Sequence, residues 1–319
     1  MLPTKPMFSS LAHVVGCVAF IAMLLPTPSW ADRPVSTPGV PPAAEQKGFH
    51  RGVVAVSNPL AAEVGARILE EGGNAVDAAA AIQFALNVVE PESSGIGGGG
   101  FMMIHLAKTN DTFYIDSREM APAAATPNMF GTLTFEIAST SGISVGVPGT
   151  LRGVATALEH WGTIPLAKAL KPAIKLAADG FNVGPLLAAD IVDTTDRGFT
   201  MTNLQPETAA IFRPGGIPLK EGDLLVQPDL AKTFQLIAKH GPDVFYKGEI
   251  AQAIVAAAQS RTRAGVAGLG KITLADLAAY DVKIRQPIVG HYRGYTVASM
   301  PPPTAQANDV SDCSPTAAK

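Results

Sequence analysis

Residues 73–105 read GNAVDAAAAIQFALNVVEPESSGIGGGGFMMIH, and residues 116–122 read DSREMAP. Asn74 is a good N-cap, and the Ala-rich run that follows predicts a helix to about Val89. This helix is apolar nearly all round, so we expect it to be buried between layers. A glycine cluster then leads into an apolar strand at 101–107. The order helix, glycines, strand predicts a layered fold in which helices cover a sheet.

Helical spacing and boundaries of glycine or proline recur along the rest of the chain. They predict helices at residues 59–71, 151–161, 165–179, 228–240, 249–260 and 274–280. Strands are predicted at residues 52–57, 101–107 and 112–116, and on both sides of Arg293-Gly294 within 288–300. Residues 143–149 (ISVGVPG) predict another strand or an extended loop. The mixture of sheet and helices predicts an α+β fold.

The glycine cluster at 95–100 contains the pattern G-x-G-x-x-G. A dinucleotide site needs a strand before these glycines and a helix after them. Here the helix comes first and the strand follows, which excludes that interpretation. Glycines also let two stretches of backbone approach closely, because no Cβ lies between them. The cluster therefore predicts close packing at the wall of a site.

Composition excludes several classes of protein. The net charge of −3 gives no electrostatic footprint for nucleic acid. The two cysteines, Cys17 and Cys313, lie near the ends, so we expect no internal disulfide and no thiolate metal site. The histidines show no metal-type spacing, and we expect neither a metal nor a cofactor.

Arg118 lies in a loop just after a predicted strand. Its guanidinium is a planar fork of donors that matches a carboxylate with two parallel hydrogen bonds. The alternative is a structural ion pair with Asp116, Glu119 or another carboxylate. Spacing alone favours that alternative, because most arginines in proteins are structural or solvated.

The N-terminus has the pattern of a targeting segment. Lys5 precedes an apolar run, and the small-residue site at 29–31 predicts a signal peptide over 1–31 that is cleaved near Ala31. We therefore expect a periplasmic or secreted protein without a stable membrane span; a transmembrane anchor is the alternative. Residues 32–50 are rich in proline and predict a disordered leader.

Several motifs together resemble the gamma-glutamyltranspeptidases. They are the two segments quoted first, SVGVPG, GDLLVQPDLAKTFQLIAKHGPDVFYKGEIAQAI, ITLADLAAYDVKIRQPI and YRGYTVASMPPP. The resemblance runs in order through nearly the whole predicted domain, 51–303. It implies the N-terminal nucleophile hydrolase fold, an αββα four-layer sandwich that a large and a small subunit share after the proenzyme cleaves itself.

The resemblance also implies a function. In the family, an N-terminal Thr of the small subunit attacks γ-glutamyl compounds such as glutathione and passes the acyl group to water or to an amino acid. It implies that Arg118 holds the α-carboxylate of the donor. The sequence departs from the family after Thr304, where residues 304–319 form an aberrant polar tail. We expect the sandwich to be incomplete, the small subunit to be missing, no catalytic residue to be present, and the chain alone to be inactive.

Two alternatives stay open at this stage. The first is a member of the same fold that resembles the cephalosporin acylases and takes a different acyl donor; Arg118 favours an α-amino-acid donor. The second is a non-catalytic module that binds γ-glutamyl compounds or complements a separately encoded small subunit.

Overall fold

The computed structural model describes three ranges of the chain: 52–192, 206–260 and 270–303. The chain divides into two compact units, Met1–Gly48 and Phe49–Lys319, and every described residue belongs to the second. Three predicted segments lie outside the described residues: the signal peptide (1–31), the leader (32–50) and the polar tail (304–319).

Helices and short strands alternate along the described residues. The helices are α1 Pro59–Glu70, α2 Ala75–Val89, α3 Phe135–Thr140, α4 Thr150–Trp161, α5 Leu166–Asp179, α6 Pro185–Val192, α7 Pro206–Phe212, α8 Pro228–His240, α9 Asp243–Tyr246, α10 Glu249–Ser260 and α11 Leu274–Ala279. The strands are β1 Gly100–Leu106, β2 Asp111–Ser117, β3 Phe181–Asn182, β4 Leu224–Leu225, β5 Lys283–Arg285, β6 Ile288–Tyr292 and β7 Tyr295–Ser299.

Helix α2 begins at the predicted cap. The Asn74 side chain accepts hydrogen bonds from the N–H groups of Val76 and Asp77, and the Asp77 carboxylate accepts one from the Asn74 N–H in return. This reciprocal capping box satisfies donors that the first turn of a helix leaves unpaired. The Ala-rich helix is buried on most of its surface, as its composition predicts.

The main core lies where α2 packs against α5, which in turn packs against α8. Phe84 of α2 and Phe234 of α8 are both fully buried and meet edge to face, with ring centroids 6.0 Å apart. Burying a side chain of this size stabilises the folded state by about 1.5–3 kcal/mol. Helix α4 packs against α2 and also contacts strands β1 and β2, so it lies between this core and the sheet.

The sheet that leads to the site has the order β1-β2-β5, with both pairs antiparallel. On one face, Ile104 and Ile115 pack against Val76 of α2 and Ala157 of α4. The alternation of side chains along a strand puts Tyr114 on the opposite face, beside the Phe101 ring at 5.8 Å between centroids. Strand β2 ends one residue before Arg118.

The α+β fold class is confirmed, and the structure corrects one local prediction and decides another. Residues 52–57, which predict a strand, belong to no strand; the Val54 side chain lies near α1 at Gly65 instead. Of the strand or extended loop predicted at 143–149, the structure has the loop. Gly142–Ser144 form a short 3-10 helix, and the only ladder pairing of the residues after it is the single bridge between Val147 and Met120. The apolar residues of 52–57 are at most partly buried: Val53 is 70% exposed, and Val56 packs against the core without full burial.

Candidate functional site

Arg118 lies at the mouth of a cleft of about 390 Å³. Its side chain is 54% exposed, although strand β2, which ends just before it, finishes in buried residues. The cleft is lined by Asp116, Arg118, Glu119, Met120, Tyr280, Asp281, Lys283, Arg285, Pro302 and Pro303. Strand β2, the end of α11 and strand β5 together place these residues around one opening.

The main chain of Arg118 is held on both sides. Its N–H donates to Asp116 Oδ1 at 3.2 Å, and its carbonyl oxygen accepts from the Tyr280 hydroxyl at 2.9 Å. Two residues further on, Met120 forms the antiparallel bridge with Val147. The turn that carries the guanidinium is therefore fixed, while the side chain itself reaches into solvent.

Asp116 is the buried charge under this turn. It is 8% exposed, and its Oδ2 accepts from Arg285 Nε at 3.0 Å, so the carboxylate bridges strand β5 and the Arg118 amide. Loss of the Arg285 side chain would leave the buried Asp116 carboxylate without its charged partner and would destabilise the fold. Burial, with a further contribution from Asp116, raises the pKa of the neighbouring Tyr114 to about 12.

The glycine cluster packs at Gly99 against residues 117–120, which we call the arginine turn. A Cβ on Gly99 would lie 2.6 Å from the Ser117 carbonyl oxygen and 2.8 Å from the Glu119 nitrogen, distances that no real Cβ adopts. From the other side, a Cβ on Gly149 would collide with the same Ser117 carbonyl. The predicted close backbone packing is present at Gly99, whereas an added Cβ on Gly97 or Gly100 would have nothing within 4 Å. That the cluster forms the wall of a site stays a prediction.

Within the described residues, the guanidinium of Arg118 forms one ion pair, with Glu119. Its Nε lies 3.3 Å from Glu119 Oε2, and its Cζ lies 5.9 Å from the centre of the Phe101 ring. The structural ion pair that spacing alone favours is therefore present. It engages Nε, and within the described ranges no second ion pair involves this side chain. The two terminal nitrogens of the fork stay available for a planar anion.

Tyr280, which lines the cleft, stacks on the buried ring of Tyr246. Tyr280 and Tyr246 are nearly parallel, with an interplanar angle of 6° and centroids 5.7 Å apart. The Tyr246 hydroxyl donates to the Pro148 carbonyl oxygen at 3.0 Å and accepts from the Arg152 N–H at 3.2 Å. Burial raises the pKa of both tyrosines, so both hydroxyls stay protonated donors at neutral pH.

Sequence reasoning found Arg118 and the glycine cluster but missed three partners. The sequence suggests Asp116 only as an alternative ion-pair partner of Arg118, whereas in the structure Asp116 pairs with Arg285. Tyr280 and Arg285 are 162 and 167 positions beyond Arg118, and no local pattern links them to it. The DSRE and AAYD segments carry polar residues at strand and helix ends, which was the one available signal.

Comparison with known proteins gives this arrangement its class. The family model described as Gamma-glutamyltranspeptidase matches residues 61–308. Among solved structures, the gamma-glutamyltranspeptidase of Helicobacter pylori is similar with a TM-score of 0.74 and 40% identity, over 82% of this chain and 73% of that chain. The fold is thus of the N-terminal nucleophile hydrolase class, as predicted. The chain belongs to the gamma-glutamyltranspeptidase family.

Curated relatives cover more sequence than this chain does. A glutathione hydrolase proenzyme of Bacillus subtilis (strain 168) is 49% identical over 80% of this chain and 42% of its own length. An Acylase ACY 1 proenzyme of Pseudomonas sp. (strain SE83) is 42% identical over 82% of this chain and 46% of its own length. The chain therefore spans less than half of these relatives. Across the described ranges, every helix is too short or too polar to cross a bilayer.

Proposed function

We propose that this chain supplies the donor-binding wall of a gamma-glutamyltransferase that breaks down glutathione, and that Arg118 binds the α-carboxylate of the γ-glutamyl donor. The observation that carries the proposal is the half-exposed guanidinium of Arg118 on a main chain that is held on both sides. A planar carboxylate fits the two terminal nitrogens of this fork with two parallel, charge-assisted hydrogen bonds.

Binding of L-glutamate tests this role of Arg118. With the purified protein in calorimetry, we expect Arg118→Ala to weaken binding by about tenfold or more, because hydrogen bonds to charged groups are the stronger kind. Arg118→Lys keeps the charge but loses the fork, so we expect an intermediate loss. Arg67→Ala is the matched control, since Arg67 is an exposed arginine on α1 that pairs with Glu63. Equal affinities for Arg118→Ala and Arg67→Ala would remove Arg118 from the site.

We also propose that the acyl-transfer step requires a nucleophile outside the residues that the structure describes. The family reaction uses a Thr nucleophile whose free amine acts as base, and the resemblance matches no residue of this chain to that Thr. We therefore expect the purified 319-residue chain to release no glutamate from glutathione. Supplying a small subunit in trans, from a gamma-glutamyltranspeptidase that has been cleaved, tests whether the two parts complement each other. Glutamate release by the chain alone would contradict this part of the proposal.

An acylase-like activity is the second candidate, because a relative named as an acylase proenzyme is 42% identical to this chain. The two donors differ at the carbon that carries the carboxylate. A γ-glutamyl donor has a carboxylate and an ammonium group there, whereas a glutaryl donor has the carboxylate alone, so Arg118 can pair with either donor. We expect the complemented protein to prefer γ-glutamyl over glutaryl substrates, and Arg118→Ala to weaken the binding of both. A preference for glutaryl substrates would favour the acylase.

The sequence also supports proposals about location and processing. We propose that the protein is exported to the periplasm or the medium and that residues 1–31 are removed as a signal peptide. The folded domain would then comprise 51–303, with 32–50 as leader and 304–319 as tail. N-terminal sequencing of the exported protein should begin at Asp32. A mature protein that still begins at Met1 would contradict the proposal.

A further inference from the structure

Helix α11 holds the arginine turn at two points. The Tyr280 hydroxyl, at the C-terminal end of the helix, donates to the Arg118 carbonyl oxygen at 2.9 Å. One turn earlier, Asp276 Oδ1 accepts from the Ala123 N–H at 2.9 Å. Leu277 between them is fully buried. Helix α11 and its C-terminal residue therefore hydrogen-bond to both ends of the loop from Arg118 to Ala123.

The Tyr280 ring is itself well anchored. It is 4% exposed and stacks on Tyr246, whose hydroxyl is engaged by the Pro148 carbonyl and the Arg152 N–H. Gly149 leaves room for the Tyr280 hydroxyl, which any Cβ at that position would displace. A phenol held on its face and at its edge has little rotational freedom, so the hydroxyl defines a fixed point in the cleft.

Fixing the Arg118 carbonyl has a consequence for its side chain. Asp116 holds the N–H of the same residue, so both peptide groups next to its Cα are constrained. A long side chain on a constrained Cα searches a smaller volume, and less freedom is lost when its fork closes on a ligand. We propose that Tyr280 is a positioning residue that sets the selectivity of Arg118 for a carboxylate. The inference rests on the proposed function of Arg118.

Hydrogen exchange of the full 319-residue chain tests the positioning without any ligand. Tyr280→Phe removes the hydroxyl and keeps the ring in its stack. We expect amide exchange in residues 117–120 to become about 2- to 10-fold faster, in line with the loss of one hydrogen bond. Tyr295→Phe is the matched control, because it makes the same change at a tyrosine on β7 that is 75% exposed. We expect it to leave exchange in 117–120 unchanged.

Ligand selectivity is the second measurement, with L-glutamate and its α-amide as the two probes. Tyr280→Phe should lower the ratio of their affinities by about 2- to 10-fold, because only the carboxylate uses the positioned fork. Tyr295→Phe should leave the ratio unchanged. A purely structural role of Tyr280 would weaken both ligands alike and keep the ratio constant.

The outcomes separate the two proposals. If Arg118→Ala leaves the affinity ratio unchanged, the proposed function of Arg118 is wrong, and the role of Tyr280 is wrong with it. If Arg118→Ala lowers the ratio but Tyr280→Phe does not, Arg118 keeps its function and the positioning role of Tyr280 is refuted, whether or not exchange in 117–120 becomes faster. A reduced ratio together with faster exchange in Tyr280→Phe alone supports the positioning role.

Discussion

Replacing Asp77 with asparagine should destabilise the fold severely, because this carboxylate joins the start of α2 to the connection between α4 and α5. Asp77 is fully buried. Its Oδ2 accepts from the Asn74 N–H at 2.8 Å and from the Thr163 hydroxyl at 2.5 Å. Its Oδ1 accepts from the N–H groups of Thr163 at 2.8 Å and Ile164 at 3.2 Å. Every partner is a donor, which suits an ionised carboxylate and no neutral amide.

The pKa of Asp77 makes this contribution depend on pH. Burial by itself raises the pKa, but the hydrogen bonds from Thr163, Asn74 and Ile164 outweigh it, and the net shift is downward. The folded pKa thus lies below the value of about 3.9 in the unfolded chain. The stabilisation is present in full above that value and is lost as the pH falls through the folded pKa.

The size of the effect follows from the donors that lose their acceptor. Asp77→Asn keeps the side-chain volume but turns an NH₂ group toward donors, and each buried donor left unpaired costs about 1–3 kcal/mol. Relaxation and water make such costs less than additive. We expect a loss of about 3 kcal/mol or more in the free energy of unfolding near neutral pH, which is a large part of the stability of a typical domain.

Urea unfolding of the 319-residue chain between pH 3 and pH 7 measures both effects. Asp229→Asn is the matched control, because Asp229 lies in the first turn of α8 with its side chain 86% exposed. We expect the control to cost about 0.5 kcal/mol or less. The reasoning fails if Asp77→Asn costs no more than Asp229→Asn, or if its stability falls between pH 5 and pH 3 as steeply as that of the unmodified chain.

Two further predictions concern the site and its sheet. Gly99→Ala should destabilise the chain by about 1–3 kcal/mol through overpacking against the arginine turn and weaken L-glutamate binding, whereas Gly97→Ala, with nothing within 4 Å of the added Cβ, should change neither; equal melting temperatures for the two variants would contradict the packing. Because the pKa of Tyr114 is raised from 10.0 to about 12 in the folded chain, its neutral form stabilises the fold below pH 10, and this contribution is lost as the pH rises toward 12. Tyr114→Phe should therefore lose less stability than the unmodified chain over that interval in urea unfolding, and parallel pH profiles would show that Tyr114 ionises normally.

Local sequence predicted most of the helices with small errors at their ends. The predicted helix 228–240 coincides with α8, and 249–260 coincides with α10. Helix α2 starts after its predicted cap at Asn74 because capping depends on residues within one turn of each other. The strands predicted at 101–107 and 112–116 correspond to β1 and β2, which pair with each other across a short turn. Interactions between residues that are close together in the chain can therefore be predicted from the local sequence.

The sequence by itself determined that an arginine follows a strand beside a glycine cluster, and the resemblance of its motifs assigned the family. Only the tertiary structure decided what surrounds that arginine. Tyr280 reaches the Arg118 carbonyl from 162 positions away, and Arg285 reaches Asp116 from 169 positions away. Neither contact has a local pattern, because each depends on β5 pairing with β2 and on α11 packing against the turn. Such contacts are set by the packing of whole elements, which brings distant residues together only after the chain has folded.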